Sequence, residues 1–121
     1  MKNYKIFTNL KAWQKGHDLV LGIYQLTKKF PKEEKFGITS QLRRAAVSVT
    51  TNIAEGNQRY FYKNKIRFYY ISRGSLSEVH NLLLIARDIN LIDNKTCNKF
   101  INKSKNVMAI LNGLINKTKS F

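Results

Sequence analysis

Residues 38–56 read ITSQLRRAAVSVTTNIAEG. Ile38, Leu42, Ala45, Val49 and Ile53 follow one another at steps of four, three, four and four, which lays them along one stripe of an α-helix. Gly56 stands at the end of that stripe and is expected to be the left-handed residue after the helix C-terminus. A second, polar stripe consists of Arg44, Ser48, Asn52, Glu55 and, beyond the stretch, Arg59. On a helical wheel it lies about 100° from the centre of the apolar stripe, beside the core rather than opposite it. A solvated face with local pairs such as Glu55 and Arg59 at i,i+4 explains it. An inter-subunit network or a phosphate site explains it as well.

The same helical period extends in both directions, and no alternating run of strand length interrupts it. Trp13, Val20, Ile23, Tyr24, Thr27 and Phe30 mark a first helix over about 10–30, stopped at Phe30-Pro31 because the residue before proline avoids the α region. Residues 32–37 form a charged turn, and the second helix spans 38–56. A third spans about 64–90, where Phe68, Ser72, Ser75 and Val79 place Phe68 in the core. A fourth spans about 94–117, capped by Asp93 or Asn94 and carrying Cys97, Ile101, Met108, Leu111 and Ile115 on one face. Helices of matched length with short connectors predict an all-α protein: an antiparallel up-down-up-down four-helix bundle. It is one domain over residues 1–121, with 1–8 an extended or flexible N-terminal segment. Gly16, Gly22, Gly74 and Gly113 are expected where helices approach closely.

Leu82-Leu83-Leu84-Ile85-Ala86 is apolar all the way round the third helix. A two-layer bundle buries one stripe, so a second cover is needed. A homo-oligomer using Leu82, Leu84 and Ile85 supplies it; a bent bundle that wraps this helix within one chain is the alternative.

With 22 Lys and Arg against 7 Asp and Glu, the net charge is +15. The physical implication is a polyanionic partner, nucleic acid or an anionic membrane surface; drift toward A/T-rich codons would also enrich Lys, Asn and Ile. The charge is +5 over residues 1–31, +5 over 32–67, −1 over 68–93 and +6 over 94–121, so the third segment is expected to be the most buried. No stretch approaches the roughly 18 apolar residues of a membrane span, and residues 1–5 lead into no secretory signal. A soluble cytoplasmic protein without a membrane partner is expected.

Catalytic patterns are missing. Cys97 stands alone, and His17 and His80 have no metal-ligand spacing, so both read as half-buried polar residues. There is neither a nucleophile elbow nor a phosphate-cradling Gly-rich loop. No enzyme, metal or cofactor is expected. Arg59-Tyr60-Phe61-Tyr62-Lys63-Asn64-Lys65-Ile66-Arg67-Phe68-Tyr69-Tyr70 interleaves cations with rings, a combination suited to single-stranded nucleic acid. Arg43, Arg44, Arg59, Lys63, Lys65 and Arg67 are the candidate nucleic-acid ligands. Arg73 and Glu78, near the apolar stripe of the third helix, are expected to be partly buried with partners from other helices.

Residues 40–56 and 68–78, with Leu10-Lys11-Ala12-Trp13-Gln14-Lys15 and Phe30-Pro31-Lys32-Glu33-Glu34-Lys35-Phe36-Gly37, carry a resemblance. Over about residues 7–115 the chain resembles the bacterial four-helix-bundle proteins encoded in intervening sequences of 23S ribosomal RNA genes. That family is similar to the accessory proteins of diversity-generating retroelements. The resemblance implies a ring-like homopentamer with a basic surface, nucleic-acid binding, and a protein partner such as a reverse transcriptase. It brings no catalytic residues. This chain has Thr50 where the family often has proline, and Lys63-Asn64-Lys65 where the family tends to open its third helix with an acidic cap. The function expected is that of a non-enzymatic, oligomeric nucleic-acid-binding protein acting on structured RNA or in an RNA–protein assembly. A structural adaptor that docks an acidic protein is the alternative.

Overall fold

A computed structural model describes residues 6–120. Four long helices dominate them: α1 Lys11–Thr27, α2 Ile38–Asn57, α3 Tyr62–Asp88 and α4 Asn94–Lys119. Short 3-10 turns occupy Phe7–Asn9 and Lys32–Glu34, and the described residues contain no strand. Of the N-terminal segment expected to be extended, residues 1–5 lie outside the described residues. Residues 7–9 are wound rather than extended: Gln14 Nε2 donates to the Thr8 carbonyl at 3.0 Å, and the Phe7 ring meets Trp13 edge-on at 5.6 Å.

Each helix packs against its neighbours in sequence, and α1 packs also against α4. The four surround one apolar core, as in a four-helix bundle. Leu19 and Ile23 enter it from α1, Leu42, Val49 and Ile53 from α2, Leu76, Val79 and Leu83 from α3, and Val107, Leu111 and Ile115 from α4. Cys97 is buried with its Sγ 3.6 Å from the Leu83 carbonyl, the core role expected of it.

The ends of the helices have local causes. α1 stops at Thr27, three residues before the expected Phe30. The Thr27 hydroxyl donates to the Ile23 carbonyl at 2.8 Å, and Phe30 N–H to the Thr27 carbonyl at 3.1 Å, which tightens the last turn and drops the Phe30 side chain into the core. α3 ends at Asp88 with Asn90 at φ 66°. Leu91 N–H reaches the Ala86 carbonyl at 2.8 Å and Asn90 N–H the Arg87 carbonyl at 3.0 Å, the paired closure of a left-handed helix end. α4 opens on Asp93, whose Oδ1 accepts from Thr96 N–H at 2.8 Å. That backbone donor holds the Asp93 carboxyl below the ordinary carboxylate range.

Gly56 is not the left-handed residue expected of it. No glycine among the described residues has positive φ, and α2 runs through Gly56 to Asn57. Its role is steric. A Cβ at residue 56 would stand 2.6 Å from Cε1 of Tyr69 and 3.1 Å from the Lys65 carbonyl oxygen. The Tyr69 ring therefore lies directly on the α2 backbone, and this corrects the register of α3: Tyr69, not Phe68, is the core residue. The sequence Tyr69, Ser72, Leu76, Val79, Leu83 and Ala86 continues the buried stripe from there. Gly16 and Gly22 do mark close approaches, to Thr50 Cγ2 at 3.1 Å and to Phe100 Cε1 at 2.9 Å. Gly74 and Gly113 do not, since nothing lies within 4 Å of a Cβ built there.

The near-neutral segment 68–93 buries nine of its 26 residues, against nine of 36 over 32–67, so it is the most buried of the four among the described residues, as expected. Taken helix by helix the order differs: α2 buries nine of its 20 residues and α3 eight of its 27. The apolar run of α3 is largely closed by its own chain. Leu83 and Ala86 are fully buried, Leu82 is 5% exposed and Leu84 is half-buried against the core. Leu82 therefore offers no free surface to a neighbour. Ile85, 40% exposed, stays outside together with Ile71 and Ile89. These three lie within about 40° of one another around the helix.

Gly56→Ala is expected to lower stability by about 1–3 kcal/mol through overpacking, despite the better helix propensity of alanine. Gly74→Ala and Gly113→Ala should raise it by about 0.5–1 kcal/mol; urea titrations of the three variants check the opposite signs. Burial also pushes the Tyr69 phenol up to about 12. An unfolded tyrosine ionises near 10, so the stability this group contributes is complete below pH 10 and is lost as the pH rises toward 12. Tyr69→Phe is expected to lose about 2–3 kcal/mol less than the parent chain over that interval, measured by urea titration at pH 9 and pH 12.

Candidate nucleic-acid interface

The corner between α2 and α3 is short. Gln58 N–H bonds back to the Ala54 carbonyl at 3.3 Å and Arg59 N–H to that of Gly56 at 3.1 Å, so the chain turns at once. α3 then opens on Phe61, which has no side chain able to cap it, and Asn64 and Lys65 N–H both reach the Phe61 carbonyl. The first turn holds Lys63 and Lys65 and no acid. The positive end of the helix thus adds to the two lysines.

Arg59 pairs with Glu55, Nη2 to Oε1 at 2.9 Å, on the exposed surface. Its guanidinium also lies over the Phe68 ring, 4.5 Å from the centroid, and Arg67 approaches the same ring at 5.9 Å. Phe68 is a half-buried platform under two arginines rather than a core residue. Tyr60 and Phe61 meet edge-on at 4.9 Å and are 88% and 65% exposed. Lys63 is exposed. Lys65 is half-buried: its Nζ donates to the Asn57 carbonyl at 2.9 Å, and burial lowers its pKa.

The six candidate cations form two groups. Arg59, Lys63, Lys65 and Arg67 gather at this corner. Arg43 and Arg44 sit sixteen and fifteen residues earlier than Arg59, about 24 Å away along the helix axis. Arg43 holds two helices together. Its Nε donates to Thr27 Oγ1 at 2.7 Å and its guanidinium covers the Tyr24 ring at 4.5 Å, tying α2 to the end of α1. Arg44 is exposed beside Lys35, Phe36 and Val47.

The polar stripe of α2 divides too. Ser48 and Ser75 hydroxyls bond at 2.8 Å across α2 and α3, and Asn52 Nδ2 donates to the Ser48 carbonyl at 2.8 Å and its hydroxyl at 3.1 Å. That part is an internal seam, whereas Glu55 and Arg59 are the local surface pair. Arg73 is half-buried as expected, donating to Asn112 Oδ1 at 3.0 Å and covering Tyr70 at 4.8 Å. Glu78 is exposed, contrary to expectation. His17 stacks on Trp13 at 4.6 Å, and His80 is half-buried. Among the described residues, no three His, Cys, Asp or Glu side chains are placed to hold a metal ion, and only two ion pairs form, Arg59–Glu55 and Arg87–Asp88. No described helix is long and apolar enough to cross a membrane.

Beside the corner lies a groove of about 520 Å³. Tyr60, Phe61, Tyr62, Lys65 and Tyr69 line it from the corner and α3, and Leu114, Lys117 and Thr118 from α4. Sequence reasoning missed the contribution of α4, which comes from some fifty residues further along the chain. The acid-free run over residues 94–121 was the one available signal.

A crystal structure at 1.70 Å of a protein of unknown function from the S23 ribosomal protein family of Bacteroides thetaiotaomicron superposes with a TM-score of 0.80. The likeness covers 86% of this chain and 97% of that one at 22% identity, and so speaks for the fold alone. No curated protein matches the sequence. The model of the 23S rRNA-intervening sequence proteins matches residues 8–113, nearly the whole of the helical part, and the chain belongs to that family.

Proposed function

We propose that this chain is a non-enzymatic, oligomeric nucleic-acid-binding protein that acts in the cytoplasm on structured RNA or within an RNA–protein assembly. The observation that carries this reading is the α2–α3 corner, where Arg59, Lys63 and Arg67 surround exposed rings without a free carboxylate among them. Phosphate contacts supply most of the affinity there, with little readout of base identity. Membership in a family named for ribosomal RNA intervening sequences is consistent with it.

The bundle is read as antiparallel, up-down-up-down. Contacts between neighbouring helices run in opposite chain order: Gly16 with Thr50 and Thr27 with Arg43, Ser48 with Ser75 and Gly56 with Tyr69, Leu83 with Cys97 and Arg73 with Asn112, and Gly16 with Val107 and Gly22 with Phe100. Self-association is supported by two separate apolar surfaces, Ile71, Ile85 and Ile89 on α3 and Leu21, Tyr24, Phe36 and Val47 around α1 and α2. Two unlike patches on one chain suit a head-to-tail ring. The resemblance implies five copies.

Two measurements test these readings. Light scattering after size exclusion is expected to give five times the 14.1 kDa chain mass, and Ile85→Glu should reduce it without unfolding the chain; a monomeric parent at micromolar concentration refutes the assembly. For RNA, the combined Arg59→Ala, Lys63→Ala and Arg67→Ala variant should bind all sequences more weakly. The slope of log affinity against log salt should flatten by roughly 0.7–0.9 for each phosphate that the variant leaves without its cation. The fold should persist, because an exposed ion pair such as Arg59–Glu55 contributes at most about 1 kcal/mol. Lys99→Ala with Lys105→Ala on α4 serves as the control. Unchanged RNA binding by the corner variant places the site elsewhere, and salt-insensitive capture of an acidic protein instead of RNA favours the adaptor.

A further inference from the structure

The groove beside the corner differs from the rest of the basic surface in having walls. Tyr60, Phe61, Tyr62 and Tyr69 from the corner and α3, with Leu114 from α4, line a space of about 520 Å³ with flat or branched apolar surfaces. That size falls within the roughly 300–1,000 Å³ of small-ligand sites. Lys65, Lys117 and Thr118 stand among these apolar walls, and no carboxylate lines the groove. The one acidic side chain at this end of α2, Glu55, is engaged by Arg59. The occupant that fits is flat and aromatic and bears negative charge.

Resting on the RNA-binding reading above, we infer that this groove receives an unpaired nucleobase of an RNA strand. The base stacks among Tyr60, Phe61 and Tyr62, and the flanking phosphates lie against Lys63 and Lys117. The substrate class narrows accordingly from nucleic acid in general to RNA with a single-stranded, bulged or looped segment. A paired base has its faces covered by its neighbours in the stack and cannot offer them to a ring. A uniformly charged duplex would engage the cations but leave the walls bare. The exposure of Tyr60 and Phe61 is then the feature of use, since rings on a short corner present their faces to an incoming base.

The test compares two RNAs with nearly equal numbers of phosphates, a twenty-four-residue uridine strand and a blunt-ended twelve-base-pair duplex, by fluorescence anisotropy on the intact assembly at one salt concentration. Tyr60→Ala combined with Phe61→Ala keeps every cation. It should weaken binding of the uridine strand roughly ten- to hundred-fold and of the duplex less than twofold, while Phe61→Tyr stays within about twofold of the parent. Both rings are largely exposed, so the fold should tolerate their loss, and each single substitution serves if the pair does not. Crosslinking at 254 nm gives an independent readout, with uridine expected on the peptide that contains residues 60–62. Four results overturn the inference: equal losses on both RNAs, no loss on either, crosslinks confined to other rings such as Phe36, or displacement of the strand by an equal concentration of uridine monophosphate. A parent protein that binds neither RNA at low salt refutes the RNA-binding reading itself. An unchanged ring variant with intact binding refutes only the groove.

Discussion

The Tyr69 ring occupies the space that any side chain at residue 56 would need. Because Gly56 leaves it open, α3 settles against the backbone of α2, and the rest of that seam can be built from small polar groups. Ser72 Oγ donates to the Val49 carbonyl at 2.7 Å, and Ser48 meets Ser75 one turn further on. The bonds that cross between the helices form only at that separation, since a hydrogen bond weakens quickly beyond about 3.2 Å. The same closeness fixes the corner: with Tyr69 pinned, the four residues between Asn57 and Tyr62 must turn abruptly, and the rings of Tyr60 and Phe61 are left pointing away from the core.

The helices could be read from the chain because their apolar spacing is strong and their stop signals are chemical. Pro31, Asp93 and the stripe from Ile38 to Ile53 each act locally, and each acts in the structure as its chemistry suggests. The register of α3 could not be read as surely. Phe68 and Tyr69 are adjacent, both begin a helical series, and the choice between them depends on a missing Cβ thirteen residues earlier on another helix. Gly56 itself misleads, because a glycine at the end of an apolar stripe has the same appearance whether it closes a helix or admits a ring. At the end of α3 the left-handed residue is Asn90 instead.

The site was legible in part for a similar reason. Charge and ring content along residues 59–70 point to the corner without any structure. What a cation does there depends on its surroundings. Arg43 resembles a phosphate ligand in sequence, yet Thr27 and Tyr24, sixteen and nineteen residues away, hold it between two helices. Lys65 is turned inward to a backbone carbonyl. Lys117 joins the groove only because α4 returns past the start of α3. The basic, uncapped opening of α3 breaks the usual helix-start preference for acids. Such local inconsistency is found where a surface is used for something other than stability.

The scarcity of ion pairs has a consequence for folding itself. With a net charge of +15 and only two ion pairs among the described residues, compaction brings many like charges together and is opposed by their mutual repulsion. Whatever neutralises that field and prefers the compact chain to the unfolded one adds to stability by mass action. On the proposed reading, a bound polyanion serves at once as cargo and as structural counterion. The folded population of such a chain then rises with the concentration of that ligand as well as with the apolar core, so the protein holds its shape best in company.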